Sequence, residues 1–389
     1  MSQYKLVAST TIADPFSVPT QHARVGVKVS LFSTGLTNPI TTCCVDNRSD
    51  SIGSSSCDMG GGLFSEPSSL TQTFSFADAP DSPFTSPARP KVAPTLFLTP
   101  VKSPAGRRLY VGPEFARGGE GAVNWAHVHD DDASVGSVNA VVKRGSVKGE
   151  YDMAAKRSRS SGIPLESPNL SSRGYVEPLL SLSSPTQLVL PMARGDLRSY
   201  LKLLGDELRR DDISIELKRV VVLDMFQQLL SGLKNFHLDH QVVHCDIKPE
   251  NILLFNTRTF MLTDFGSVKQ KYGSILTGGG TEGYIAPDAL QGHPLSDAAD
   301  VWSLGQVFCE IVTGTRFVAG DIPPCIPGLE DLAVEFVSPM LASTEANRAH
   351  VSALLDGIET RFVGMDLIRL RVELTELWTR IHAKHSDRA

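Results

Sequence analysis

The sequence predicts an α+β protein of two lobes, a β-rich half followed by a helix-rich half, behind a long N-terminal tail. Three observations support this class. The composition changes near residue 105, short β-rich runs occupy residues 109 to 190, and helical periodicity dominates from residue 213 onward. Strands that precede the helices, rather than alternate with them, indicate an α+β arrangement.

The first 100 residues contain 28 Ser and Thr, 10 Pro and only 13 charged residues. No apolar period there could build a buried face, and the prolines toward its end disfavour helix interiors and central strands. Residues 1–105 are therefore predicted to be a largely disordered tail. Ser82, Ser86, Thr99 and Ser103 each precede Pro, so the tail is either a target of proline-directed phosphorylation or a solvated linker.

Charge and hydropathy exclude several classes of protein. The 389 residues carry a net charge of −6, which disfavours a polybasic nucleic-acid or membrane-surface binder. No run approaches the roughly 20 apolar residues of a membrane-spanning helix, and no secretory signal pattern is present. The six cysteines form neither a disulfide framework nor a zinc-ligand spacing. We therefore expect an intracellular protein, cytoplasmic or nuclear, without nucleic-acid or membrane partners.

The β-rich half contains five predicted strands, at Leu109–Phe115, Ala122–His129, Val138–Lys143, Val176–Leu182 and Gln187–Leu190. In the second half, apolar residues recur at helical spacing in four segments, Ile213–His240, Asp300–Gly314, Ala333–Leu341 and Met365–His385. Two short apolar runs, Ile252–Leu254 and Phe260–Leu262, predict a hairpin that would bring Asn251 and Asp264 to the same end.

The densest chemical pattern is His-Cys-Asp-Ile-Lys-Pro-Glu-Asn at His244–Asn251, followed by an Asp-Phe-Gly that starts at Asp264. Asp246 could accept a proton from an attacking hydroxyl group. Asn251 and Asp264 offer the hard oxygen ligands that Mg²⁺ prefers when it also binds phosphates. Lys248 is a point charge suited to a phosphoryl group. These residue types favour phosphoryl transfer.

The pattern resembles the eukaryotic-type protein kinase family, whose catalytic loop is His-Arg-Asp-x-x-x-x-Asn and whose metal motif is Asp-Phe-Gly. Further motifs follow in the family's order. Gly280–Asp288 resembles the end of an activation segment, Asp300–Gly305 the start of the buried C-lobe helix, and Arg348 the Arg that pairs with the acidic residue after Ala-Pro. The resemblance implies a bilobal protein kinase fold over residues 106–360, with residues 361–389 as a C-terminal helical extension.

The same resemblance assigns a nucleotide site between the lobes. Gly118, Gly121 and Val123 match the glycine-rich loop, in which Ala116 replaces the family's first glycine. Lys143 ends an apolar strand and matches the Lys that contacts the α- and β-phosphates. Glycine in such a loop lets backbone N–H groups approach phosphates without a Cβ in the way.

Glu150 is the acidic partner that we expect for Lys143, although only seven positions separate the two residues. The alternative, Glu166, follows Gly162 and Pro164, which disfavour a helix there.

Leu190 matches the gatekeeper of the inter-lobe hinge, where the backbone of Pro191 and Met192 would face the adenine. Pro191 has no N–H, but its carbonyl can accept a proton from the adenine amino group. This hinge is similar to that of herpesvirus-encoded kinases, which would place the protein in a host cell. A divergent cellular kinase is the alternative.

The resemblance implies an enzyme that uses ATP and Mg²⁺ to phosphorylate protein substrates with Ser or Thr acceptors. Asp246 would be the base, Asn251 and Asp264 the metal ligands, and Lys248 the charge near the γ-phosphate. Lys248 and Thr281 both favour Ser/Thr over Tyr as acceptor.

The competing function is a pseudokinase, a scaffold that keeps the fold and binds partners without turnover. Ala116, Cys245 in place of the family's Arg, and the short Lys143–Glu150 spacing favour it. The presence of all four residues that are hard to replace, the Lys, the base and both metal ligands, favours an active enzyme.

Overall fold

The computed structural model describes residues 101–102, 107–118, 121–130, 137–161, 173–273 and 280–387. Its β-rich lobe is an antiparallel sheet whose strand order follows the chain, from β1 to β5: Val101–Lys102, Arg107–Gly118, Gly121–Asp130, Ser137–Gly145 and Gln187–Pro191. Helix α1, Lys148–Ser161, lies between β4 and β5 along the chain. Leu109, Val128 and Val142 of the sheet are buried together with Leu179 and Leu182, which close its core.

The helical lobe is built around one long helix. Its described α-helices, α2 to α9, are Leu197–Leu208, Ile215–His240, Pro287–Leu290, Asp297–Thr313, Glu330–Leu332, Ser338–Met340, Val351–Phe362 and Leu367–Ser386. Ser214 caps the start of helix α3, and its hydroxyl accepts a hydrogen bond from the Leu217 N–H (3.1 Å). It ends at Gln241, which adopts a left-handed conformation. At its centre Phe226 stacks on Phe308 of α5, with ring centroids 3.5 Å apart.

Two smaller sheets accompany the five-stranded sheet. Strands β6, β8 and β9 (Gly195–Asp196, Ile252–Phe255 and Thr259–Leu262) form one, and β7 and β10 (Val242–Val243 and Lys269–Gln270) form the other. The predicted hairpin is confirmed: Ile252 pairs with Leu262, and the Thr263 N–H donates to the Asn251 carbonyl (3.0 Å). Asn251 and Asp264 therefore lie at the same end of the hairpin.

The prediction of a strand at Val176–Leu182 is wrong. Tyr175 makes only an isolated bridge to Leu262, and a turn of 3-10 helix occupies Leu180–Leu182. Pro178 has no N–H to donate to a neighbouring strand, which prevents a continuous ladder here.

The helix predicted at Ala333–Leu341 is present, but it is not α-helical throughout. A π-helical turn, Ala333–Val337, separates α6 from α7. Pro339 cannot donate an N–H to the carbonyl of Glu335, and the missing bond accounts for the local widening of the helix.

The sheet begins inside the segment that the sequence predicts as tail. Val101 pairs with Leu109 across β1 and β2. The rest of the predicted tail lies outside the described residues.

Helix α9 packs on the helical lobe. Its Trp378 is fully buried and contacts Phe260 of β9, with ring centroids 5.4 Å apart. His382 contacts Tyr200 of α2, and its Nε2–H donates to the Thr257 carbonyl (2.7 Å). Among the helices described, none combines the length and apolarity needed to cross a membrane.

Candidate active site

The ammonium group of Lys143 bridges two carboxylates from different elements. Its Nζ lies 2.9 Å from Oε1 of Glu150 and 2.6 Å from Oδ1 of Asp264. Lys143 belongs to β4, Glu150 to the first turn of α1, and Asp264 follows β9. The ammonium group of Lys143 therefore connects three elements: the sheet, α1 and the Asp-Phe-Gly segment. The alternative partner, Glu166, lies outside the described residues.

Burial and the neighbouring charges shift the pKa values of Lys143 and Glu150 in opposite directions. Burial alone would lower the pKa of Lys143, but the carboxylates of Glu150 and Asp264 outweigh it and hold that pKa above its ordinary value. Burial raises the pKa of Glu150, which Lys143 and a hydrogen bond from the Phe265 backbone N–H only partly offset. Because the side chain of Glu150 is only 6% exposed, it has no other access to solvation and depends on these donors.

The carboxylate of Asp246 accepts hydrogen bonds from three side chains. Its Oδ2 accepts from Nζ of Lys248 (2.8 Å) and from Nδ2 of Asn251 (2.9 Å), and its Oδ1 accepts from the Thr281 hydroxyl (2.7 Å). Nζ of Lys248 also lies 2.8 Å from the Thr281 oxygen. Residues far apart in the sequence thus share one carboxylate.

The backbone beside Asp246 is fixed by a buried acid. The carboxylate of Asp300, which is fully buried, accepts the backbone N–H groups of His244 (2.7 Å) and Cys245 (2.9 Å) and Nε2–H of His237 (2.7 Å). Cys245 has φ +65°, a left-handed conformation that is unfavourable for a residue with a Cβ. The two backbone bonds that this carboxylate accepts, from His244 and Cys245, stabilise the strained turn.

His244 connects the catalytic loop to the Asp-Phe-Gly segment. Its Nε2–H donates to the Thr263 carbonyl (3.1 Å), its Nδ1 accepts the Asp246 N–H (3.4 Å), and its ring lies 5.4 Å from that of Phe265. These contacts make His244 a structural link between the two segments.

Cys245 stands where the family has Arg, and its thiol points into the protein. It is 7% exposed, and its Sγ contacts the carbonyl of Val243 (3.6 Å). Burial raises the pKa of this thiol to about 12, and nearby Asp300 adds to the effect. A neutral thiol cannot bind a phosphate group as a guanidinium does. The segment it would have met, residues 274–279, lies outside the described residues.

The proposed metal ligands offer oxygen donors of the right chemistry. Asn251 uses its amide nitrogen on Asp246, so its amide oxygen remains for a cation. Asp264 uses Oδ1 on Lys143, so Oδ2 remains. Within the described ranges no three His, Cys, Asp or Glu side chains converge as a metal site. A Mg²⁺ ion held by these two residues would complete its shell with water and phosphate oxygens.

The predicted glycine-rich loop is the connection of β2 to β3. Ala116 pairs with Val123, Gly118 pairs with Gly121, and Val123 pairs in turn with Lys143 of β4. Gly121 has φ +153°, and a Cβ there would lie 1.8 Å from the carbonyl oxygen of Arg144, so no larger residue fits. The described part of the loop therefore lies beside the strand that carries Lys143, and residues 119–120 lie outside the described residues.

The hinge contains one feature that the sequence did not indicate. Leu190 and Pro191 end β5, and the N–H of Met192 donates to the Asn139 carbonyl (3.3 Å). The N–H of Arg194 donates to the Leu254 carbonyl (2.8 Å). The N–H of Met192 is thus hydrogen-bonded to the sheet. Ala193 lies between the two residues, Met192 and Arg194, whose N–H groups are hydrogen-bonded.

The ion pair that the sequence predicts at the end of the activation segment is formed. Nη2 of Arg348 lies 2.8 Å from Oδ1 of Asp288, and its Nη1 donates to the Ala298 carbonyl (2.8 Å). The side chain of Arg348 is fully buried. It links α4, which contains Asp288, to α5, which contains Ala298.

Comparison with known proteins agrees with this geometry. Residues 181–324 match the family model of the protein kinase domain. Over 158 residues the chain is 30% identical to serine/threonine-protein kinase nekl-2 of Caenorhabditis elegans, covering 39% of this chain and 43% of the relative. It is 32% identical over 158 residues to dual specificity protein kinase zak2 of Dictyostelium discoideum, covering 37% of this chain and 24% of the relative.

A bacterial relative shows the same partial overlap. The chain is 36% identical over 138 residues to serine/threonine-protein kinases drp72 of Corynebacterium efficiens, covering 34% of this chain and 25% of the relative. The chain thus spans less than half the length of these relatives. Residues 181–324, which match the family model, contain the hinge, the catalytic loop and the Asp-Phe-Gly segment described above. The chain therefore contains a protein kinase domain, with a sheet-rich N-lobe followed by a helical C-lobe.

Proposed function

We propose that this chain is a protein kinase that transfers the γ-phosphoryl group of Mg·ATP to Ser or Thr hydroxyl groups of protein substrates. The observation that carries the proposal is the set of bonds at Asp246. A carboxylate has about four acceptor sites, and Lys248, Asn251 and Thr281 occupy three of them. The remaining site, on Oδ1, can accept the hydroxyl of a substrate, orient it and take its proton.

The acceptor preference rests on the contacts of Lys248 and Thr281. Both side chains bind Asp246 and each other, so Lys248 is directed toward the side on which an acceptor hydroxyl would lie. Its positive charge would offset the negative charge of the transferring group. This pair supports Ser/Thr specificity, since tyrosine kinases usually replace that Lys.

Nucleotide binding is assigned to the cleft between the lobes. Lys143 would hold the α- and β-phosphates while Glu150 keeps its ammonium group in place. Asn251 and Asp264 would hold Mg²⁺, which when bound neutralises phosphate charge. At the hinge, the Pro191 carbonyl would accept the adenine amino proton. We assign the complementary N–H donor to Ala193 rather than Met192, because the Met192 N–H is already bonded to the sheet.

The free thiols Cys245, Cys309 and Cys325 favour a reducing, intracellular compartment for this enzyme. The similarity of the hinge to herpesvirus-encoded kinases remains a prediction from the sequence.

The test is incorporation of labelled phosphate from Mg·ATP into protein substrates. Asp246→Asn should keep nucleotide binding and reduce turnover by about 100-fold or more, since a positioned base contributes that much. Asp356→Asn, the same change at an exposed position of α8, is the matched control. Phosphoamino-acid analysis of the product should give phosphoserine or phosphothreonine.

Two outcomes would contradict the proposal. Wild-type protein that binds nucleotide without incorporating phosphate would instead indicate the pseudokinase. Near-normal turnover of Asp246→Asn would remove Asp246 as the base.

A further inference from the structure

The inward face of α1 is unusual in its chemistry. Glu150, Ala154 and Arg157 are the buried residues among the described side chains of this helix. Their spacing of four and then three positions places all three on one side. Helices are normally held by an apolar stripe. Here two opposite charges flank a single alanine, so the fully buried positions of α1 do not form an apolar stripe.

Arg157 is buried against carboxylates of other elements. It is 6% exposed, and its guanidinium forms an ion pair with Glu177. Its Nε lies 3.5 Å from Oδ2 of Asp239, and its Cζ lies 5.9 Å from the centre of the Tyr175 ring. A buried guanidinium is stable only while these partners remain in contact.

The partners of Arg157 belong to the helical lobe or to the segment that is hydrogen-bonded to it. Asp239 lies in the last turn of α3, where the helix dipole disfavours a carboxylate that lacks a cation. It also accepts Nη1 of Arg173 and the Tyr175 hydroxyl, both at 2.7 Å. The chain beside Tyr175 is bonded to β9, because the Val176 N–H donates to the Leu262 carbonyl (2.8 Å). Arg157 thus connects α1 to elements of the helical lobe.

We propose that Arg157 is a positioning residue that holds α1 where Glu150 meets Lys143. The two charged residues lie seven positions apart, about two turns or 10 Å along one helix face. If α1 moved outward, Glu150 would lose its contact with Lys143, and Arg157 would lose its contacts with Glu177 and Asp239. The contact of Glu150 with Lys143 and the contacts of Arg157 should therefore form and break together. We call this dependence the coupling of Arg157 and Glu150. The effect of the coupling on phosphoryl transfer rests on the proposed function, whereas the coupling itself does not.

The coupling is tested on Lys143 without nucleotide or turnover. Lysine labelling by an amine-reactive ester, followed by mass spectrometry, is measured for wild type, Arg157→Met, Glu150→Gln and the double variant. Each single change should raise the labelling rate of Lys143 about threefold or more. The labelling rate of Lys143 in the double variant should stay within about twofold of the rate in Glu150→Gln, because the effects of substitutions at coupled residues are not additive. Lys248, read from the same digest, should not change.

Three variants make the test specific. Arg159→Met, the same substitution at an exposed position of α1, should leave Lys143 labelling unchanged. Arg157→Lys, which keeps the charge, should restore part of the protection. Glu177→Gln removes one partner at constant volume and serves if Arg157→Met does not fold; it should act in the same direction. Unchanged labelling of Lys143 in both Arg157→Met and Glu177→Gln, or multiplicative effects in the double variant, would overturn the proposal.

Kinetics then connect the coupling to activity. Arg157→Met should lower kcat/KM for ATP about tenfold, equivalent to about 1.4 kcal/mol, and should cause no further loss in the Glu150→Gln background. A wild-type protein without phosphoryl transfer would contradict the proposed function, while the labelling cycle would still decide the role of Arg157.

Discussion

Replacing Asp300 with Asn should destabilise the protein by about 3 kcal/mol. The carboxylate accepts three hydrogen bonds on its two oxygens, and an amide has only one acceptor oxygen. In either orientation the amide nitrogen faces at least one donor, the N–H of Cys245 or the donors from His237 and His244. An unsatisfied buried donor costs about 1–3 kcal/mol, and the bonds that remain lose the benefit of the charge.

The free energy of unfolding in urea, with the thermal midpoint beside it, measures this loss. A domain of this size should lose about 2–4 °C in Tm per kcal/mol. Asp297→Asn, on the same helix with a 40% exposed side chain, is the control and should cost under about 1 kcal/mol. If the two variants had equal stability, the argument that Asp300 stabilises the strained Cys245 turn would be refuted.

The pH dependence of the same variant has a defined sign. Burial alone would raise the pKa of Asp300, but hydrogen bonds from His237 and the His244 backbone hold it below its ordinary value. A depressed folded pKa stabilises the protein above the unfolded pKa, near 4, and that contribution is lost as pH falls through the folded value. Asp300→Asn should therefore flatten the acid end of the stability profile.

Two further predictions concern acidification and loop phosphorylation. Burial lowers the pKa of His382 to about 4, so wild type should lose up to about 3 kcal/mol between pH 7 and 4. His382→Gln should reduce that slope in unfolding experiments, and an unchanged slope would contradict it. Because Cys245 cannot bind a phosphate, combined Ser274→Ala and Thr277→Ala should change kcat/KM less than about threefold. A tenfold loss on dephosphorylation, reversed by rephosphorylation, would disprove this.

The sequence predicted best where chemistry or strong periodicity constrains the residues. The hairpin after Asn251 and the long helix α3 were expected close to their observed bounds, and the class of two lobes is confirmed. Motif order also indicated that Lys143, Asp246 and Asp264 would gather in one cleft. Their catalytic roles remain predictions.

Other features depend on contacts that no local pattern encodes. Helix α1 lacks an apolar stripe, so periodicity did not indicate it, and the burial of Arg157 depends on carboxylates 20 and 82 positions later. The bonded N–H of Met192 depends on a strand some 50 residues earlier. A signal was nevertheless present for Glu150, because an acid at the start of a helix is favoured by the helix dipole.

Helix α9 also sets the timing of folding during synthesis. Its His382 contacts Tyr200, which is translated 182 residues earlier. At about 5–20 residues per second, Tyr200 waits roughly 10–40 s for its partner. The apolar surface around Phe260 waits for Trp378 in the same way. The helical lobe can therefore complete its core only after residue 386 has left the ribosome, and until then its surface is open to chaperones and to misassembly.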